Sequence, residues 1–310
     1  MKRTLTVLTL VATLAALGLG CRKPKKDVDK GISAAELMTT ADKQMKQGKF
    51  NEARLTLRHL EQYLPGSAEF PKAKLMLGDS FFFQGSPSYP EAEVEYGSFL
   101  NYFPRHEMRD YAMYHRALCH FSTIETAERD QAETRKALDG FQQLLKESPG
   151  SPYASVARAK VLQCWRRIAE HELMVGVYYV NSYFYPGAER RLKNLLETYP
   201  DYVDRERAYY YLGEAMRQRF PSSDEITQFN KDYAAKLQRP DLKDLSKEQL
   251  SQFQKDFQAF GKEQVKVYRA EAKSYYRKLV ESYPGSEWSR RAADRLITMG
   301  TEGVKEELDS

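Results

Sequence analysis

His115 and Cys119 stand four residues apart, with His120 next in line. On a helix that spacing puts an imidazole and a thiol on one face, within reach of one metal ion. A metal site needs further ligands, and the apolar periodicity of Tyr111, Tyr114, Leu118 and Phe121 accounts for both residues as packing. Packing is the preferred reading, and no metal or cofactor is expected. His171 and Glu172 are adjacent and read as part of a partly packed helix, not as a general base. The chain has no His-Glu-x-x-His, no Gly-x-Ser-x-Gly and no phosphate-cradling glycine loop. No carboxylate pair stands out from the helix-surface charges, so no catalytic residue is assigned and an enzyme is disfavoured.

The elements that carry these residues repeat. Pro65, Pro104, Pro149, Pro200 and Pro284 set a common register. Twelve residues before each stands an alanine (Ala53, Ala92, Ala137, Ala188, Ala272) and eight before, a large apolar residue (Leu57, Tyr96, Phe141, Leu192, Tyr276). Five before comes Leu60, Phe99, Leu144, Leu195 or Leu279, and eight after comes a second alanine: Ala73, Ala112, Ala157, Ala208, Ala292. Offsets of four and three line one helix face, which ends just before the proline. The small residue beyond it lets the next helix approach closely.

The unit is therefore a helical hairpin, and such units stack into a superhelix. The spacing predicts helices over 33–47 and 50–62, 68–84 and 91–102, 107–127 and 131–146, and 152–181 and 187–198. A fifth pair is split into 203–219 and a helix ending at Ser282, with a capping helix over 287–299. Between its halves lies an insertion, 221–261, opened by Pro221, Ser222, Ser223 and Asp224 and broken at Arg239 and Pro240. Ser246 with Gln249 forms a capping box from which a long helix can start. The expected fold is all-α: a solenoid of about five hairpins over 32–300 with a C-terminal capping helix, then a polar tail, 301–310. The hairpins resemble tetratricopeptide repeats, with Gly48 and Phe50 at the first turn.

With 42% hydrophobic and 29% charged residues, and only 17 Gly and 13 Pro, most of the chain should fold. Residues 1–20 read as a targeting segment: Lys2 and Arg3, an apolar stretch from Leu5 to Leu19 too short to span a bilayer comfortably, and Gly20 before Cys21. It resembles a bacterial lipoprotein signal, which implies a diacylglycerol on the Cys21 thiol and acyl chains that anchor stably together where one binds marginally. It departs from that pattern at Gly18, where leucine is usual. The alternative is an ordinary secretory segment that leaves Cys21 a free thiol. Cys119 and Cys164 lie in apolar-periodic stretches and read as buried structural residues. Residues 21–31 form a polar tether. Loss of Lys2 and Arg3 leaves 46 basic against 43 acidic residues, too balanced to argue for nucleic acid.

Three stretches carry a closer resemblance: Tyr111-Ala-Met-Tyr-His-Arg-Ala-Leu, Ile168-Ala-Glu-His-Glu-Leu-Met-Val-Gly-Val-Tyr-Tyr-Val and Ala188-Glu-Arg-Arg-Leu-Lys-Asn-Leu-Leu-Glu-Thr-Tyr-Pro. Over about 34–219 the chain resembles the BamD family, lipoprotein subunits of the outer-membrane β-barrel assembly machine. The resemblance implies a scaffold, lipid-anchored at the periplasmic face of the outer membrane, that binds the central barrel-bearing subunit. Other lipoproteins of that complex and unfolded outer-membrane protein segments are further implied partners. Two features depart from the family: the insertion, and the turn Ser-Tyr-Phe-Tyr-Pro-Gly from Ser182 to Gly187. The competing readings are a pilotin that escorts a secretin and, least supported, a repeat-bearing cell-wall hydrolase.

The first helices of a solenoid line a concave face. Positions 7, 10, 14 and 17 after a proline select Tyr111, Tyr114, Leu118 and Phe121 in the third repeat, and Arg207, Tyr210, Glu214 and Arg217 in the fifth. The aromatic set can dock a peptide, since rings bring area at little rotamer cost; equally, these tyrosines can pack between helices. Arg191 occupies the arginine position of the family's fourth-repeat motif, which implies a contact to the central subunit. A guanidinium fork suits a carboxylate there. The alternative is a solvated arginine on a helix surface.

Overall fold

A computed structural model describes residues 31–308, with side chains described through residue 300. The targeting segment, Cys21 and the tether up to residue 30 lie outside the described residues. The chain divides into two compact units, the first through Ala73 and the second from Lys74.

In the first unit, α1 (Ala34–Lys46) packs on α2 (Phe50–Tyr63), and α3 (Phe70–Phe82) begins. A capping box starts α1: the Ser33 N–H donates to Glu36 Oε2 at 2.8 Å and the Glu36 N–H donates to Ser33 Oγ at 3.3 Å. Gly48 makes the turn at φ +71°, a conformation that costs glycine nothing.

In the second unit the remainder of α3 is followed by α4 (Tyr89–Tyr102), α5 (Arg109–Phe121), α6 (Ala132–Glu147), α7 (Ala154–Asn181), α8 (Tyr185–Thr198), α9 (Arg205–Arg217), α10 (Ser223–Lys236), α11 (Lys247–Ser282) and α12 (Glu287–Leu308). No strand occurs among the described residues. From α4 to α9 each helix packs on the next; α9 then pairs with α11, and α12 covers both.

All twenty residues of the proline register are at most 2% exposed. The five second helices also end alike. Leu64, Phe103, Ser148, Tyr199 and Tyr283 leave helical geometry, with φ between −121° and −137°, because the proline ring that follows disfavours it. Each still donates its N–H to the carbonyl four residues back, on Leu60, Phe99, Leu144, Leu195 and Leu279.

Beyond shifts of one or two residues at helix ends, three features differ from expectation. α5 stops at Phe121, not 127, and residues 122–131 form a loop held by Gln131, whose Nε2 donates to the carbonyls of Thr126 and Arg129. The insertion contains α10, started by a capping box of Ser222 and Glu225, ahead of the α11 start at Ser246 and Gln249. α12 runs on to Leu308, through most of the segment expected to be a tail.

Candidate partner-binding surface

The aromatic set on α5 faces its neighbours. Tyr111 Oη donates to Asp79 Oδ1 at 2.7 Å beside Tyr96 Oη at 2.6 Å, and the Tyr111 ring stacks on His115 with centroids 3.9 Å apart. Tyr114 stacks on Tyr153 at 4.9 Å, and Phe121 meets Phe141 edge-on at 6.0 Å with Lys160 Nζ over its outer face. Leu118 packs against the same core. All four residues are half-buried in seams between helices, as the packing alternative describes. Burial raises the Asp79 carboxyl pKa above its ordinary value in spite of the two phenol donors, and lowers that of His115.

The candidate metal pair is bonded within its own helix. His115 Nδ1 lies 3.0 Å from the Tyr111 carbonyl, and Cys119 Sγ donates to the His115 carbonyl at 3.2 Å. Burial pushes the Cys119 thiol up to about 12 and the Cys164 thiol up to about 11. His120 is turned to Glu133, 2.7 Å from Nδ1. His171 Nδ1 reaches the Ala127 carbonyl at 2.6 Å and so pins the α5–α6 loop.

The charged set on α9 is drawn into an internal cluster around Glu214, which is only 6% exposed. Its carboxylate accepts from Tyr276 Oη at 2.7 Å, Arg295 Nε at 2.6 Å and Arg217 Nη2 at 3.0 Å, which ties α9 to α11 and α12. Burial raises its pKa, but these donors outweigh burial and hold it below the usual carboxylate value. Tyr210 is buried against Trp288, and Arg207 lies over the Tyr211 ring near Asp204. Tyr210 and Glu214 thus serve the core and present little to a partner.

Arg191 has found a carboxylate in its own chain. Its Nη1 donates to both oxygens of Glu172, at 2.9 and 3.0 Å, across the α7–α8 interface. Glu172 is buried, and Arg135 from α6 stands 3.6 Å from it. The Arg191 side chain stays 35% exposed, so it is neither freely solvated nor closed off. Sequence reasoning named Glu172 only as a neighbour of His171 and missed its role as hub. A glutamate and an arginine conspicuous in the two adjoining stretches were the available signal.

A family described as outer membrane lipoprotein (YfiO) matches residues 30–236, from the tether through α10. The chain belongs to this family. The YfiO match takes in the whole Arg135, Glu172 and Arg191 cluster and ends with α10. A tetratricopeptide repeat family matches residues 269–286, around Pro284. Among curated relatives, the outer membrane protein assembly factor BamD of Haemophilus influenzae is 29% identical over 209 residues, covering 64% of this chain and 78% of its own. Those of Vibrio cholerae and Caulobacter vibrioides are 28% and 26% identical, covering 62% and 68% of this chain and 83% and 68% of theirs.

Proposed function

We propose that this chain is an assembly factor for outer-membrane β-barrel proteins. In this reading it is a non-enzymatic scaffold, acylated at Cys21 and held at the periplasmic face of the outer membrane, that binds the central barrel-bearing subunit. The observation that carries it is membership of the outer membrane lipoprotein family over residues 30–236, with relatives named as assembly factors. The site geometry supports a binding role. Asp79, Glu214 and Glu225 each accept from donors within the fold. At Glu172 two guanidiniums share one carboxylate, an excess of positive charge that can accept a partner's acid at Arg191.

The test is affinity purification of the tagged full chain from detergent-solubilised outer membranes, with the recovered proteins identified by mass spectrometry. A barrel-bearing subunit with other lipoproteins is expected. Recovery of a secretin in their place would replace this reading with the pilotin one.

A further inference from the structure

One hairpin leaves a helix-sized gap. In three hairpins the residue 13 positions after the proline is small and lies against the second helix: Gly78 against Tyr96, Ala117 against Gly140, Gly213 against Tyr276. In the fourth that position is Leu162, 45% exposed, and the covered glycine comes 14 residues later, where Gly176 meets Leu192. α7 is accordingly 28 residues long, where α3, α5 and α9 have 13. Fourteen residues make nearly four full turns, about 21 Å, so Leu162 and Gly176 lie close to one face. The second helices α2, α4 and α8 are each 14 residues long. The first half of α7 therefore lacks, on that face, the length of one second helix.

The gap is shaped and charged. Between α6 and this half of α7 runs a cleft of about 440 Å³ lined by Gln142, Leu145, Arg158, Val161, Leu162 and Trp165. The four α7 residues follow helical spacing, and Trp165 is 38% exposed. No acid lines the cleft. Arg158 within it and Arg166, one turn past Leu162, are exposed basic side chains on its flank.

We propose that this cleft receives an amphipathic, acidic helix of about four turns from a partner protein. Its apolar face sets against Leu145, Val161, Leu162 and Trp165, as in helix-in-groove recognition, and its carboxylates meet Arg158 and Arg166. The inference rests on the hairpin register and the charge of the cleft, not on the assembly role.

The probe is a fluorescein-labelled helical peptide of about 16 residues with leucines along one face and glutamates on both flanks, paired with a version carrying lysines for the glutamates. Anisotropy titrations use the full acylated chain in detergent as wild type, Leu162→Glu and Arg158→Glu/Arg166→Glu, with helix content checked by circular dichroism. The acidic peptide should bind wild type saturably and weaken at least about tenfold in both variants, while the lysine peptide prefers the double variant. Absence of saturable binding, equal affinity for the two peptides, or undiminished binding by Leu162→Glu would overturn the proposal. So would dimerisation in sedimentation that Leu162→Glu abolishes, which would seat a second copy in the cleft. None of these outcomes touches the co-purification test of the assembly role.

Discussion

The Glu172 carboxylate is buried on α7, and its principal neutralising contact is a single arginine that is itself part-exposed. Removing that partner leaves a buried carboxylate facing only Arg135 at 3.6 Å. The penalty for a stranded buried charge is several kcal/mol, but water can enter where Arg191 stood and Arg135 can close in. Arg191→Ala should therefore destabilise by about 1 to 2 kcal/mol, and Glu172→Gln added to it should recover part of the loss. Urea unfolding of both single variants and the double variant at neutral pH measures this. An unchanged midpoint for Arg191→Ala would mean that the pair contributes nothing to the fold. The family resemblance assigned Arg191 a carboxylate on the central subunit; the carboxylate it holds in this chain is Glu172. That pairing was not legible in the sequence, because Glu172 lies 19 residues away on another helix, beyond any i to i+4 rule. Tyr111 and Glu214 were named as candidates for a partner, with packing the alternative for the tyrosine; the contacts they make here, with Asp79, Tyr276 and Arg295, likewise come from other helices.

At the scale of elements the hairpins were legible because their constraints are local. A proline stops the helix before it, and an alanine at a close crossing admits no larger side chain. The start of α11 was legible from its capping box. α10 carries an equivalent box at Ser222 and Glu225, but no proline-register alanine or apolar triplet accompanies it, so it fell outside the repeat pattern. What fastens it is Glu225, which accepts from the Ser222 N–H at 2.7 Å, from Arg219 Nη2 at 3.0 Å and from Tyr268 Oη on α11. Burial pushes that carboxyl up, yet these donors prevail and bring it from 4.5 down to about 2. A pKa depressed in the folded state stabilises fully above the unfolded value and loses its contribution as pH falls through the folded one. The stability difference between wild type and Glu225→Gln should thus be largest above pH 4.5 and close as pH falls toward about 2. Urea midpoints of the two proteins across that range decide it. A difference that stays constant with pH would detach the capping box from the stability of the α10 insertion.

For the whole molecule, the proposed hold on a membrane can be divided by its response to salt. Among the described residues no helix is long and apolar enough to cross one. The proposed function gives two attachments to weigh: the proposed acyl chains on Cys21, and the basic residues Arg22, Lys23, Lys25 and Lys26 that follow it. They differ in their response to salt. Attraction of exposed lysines to anionic headgroups is worth about 1 kcal/mol each near the surface and is screened once the Debye length falls to about 3 Å at 1 M. Burial of several acyl chains is a hydrophobic term that salt does not weaken. The hairpin core draws on neither, since its register residues begin at Ala53 and are buried between packed helices. Cys21→Ser should consequently keep the helix content of wild type but leave the membrane pellet, partly at low salt and fully after a wash at about 1 M. Wild type should stay in the pellet under both conditions. Fractionation of the two proteins at the two salt concentrations, with circular dichroism on the released variant, makes the comparison. Retention of Cys21→Ser through the high-salt wash would place the anchor elsewhere in the chain or in a bound partner, and release of wild type by salt would make the tether, not the acyl chains, the attachment.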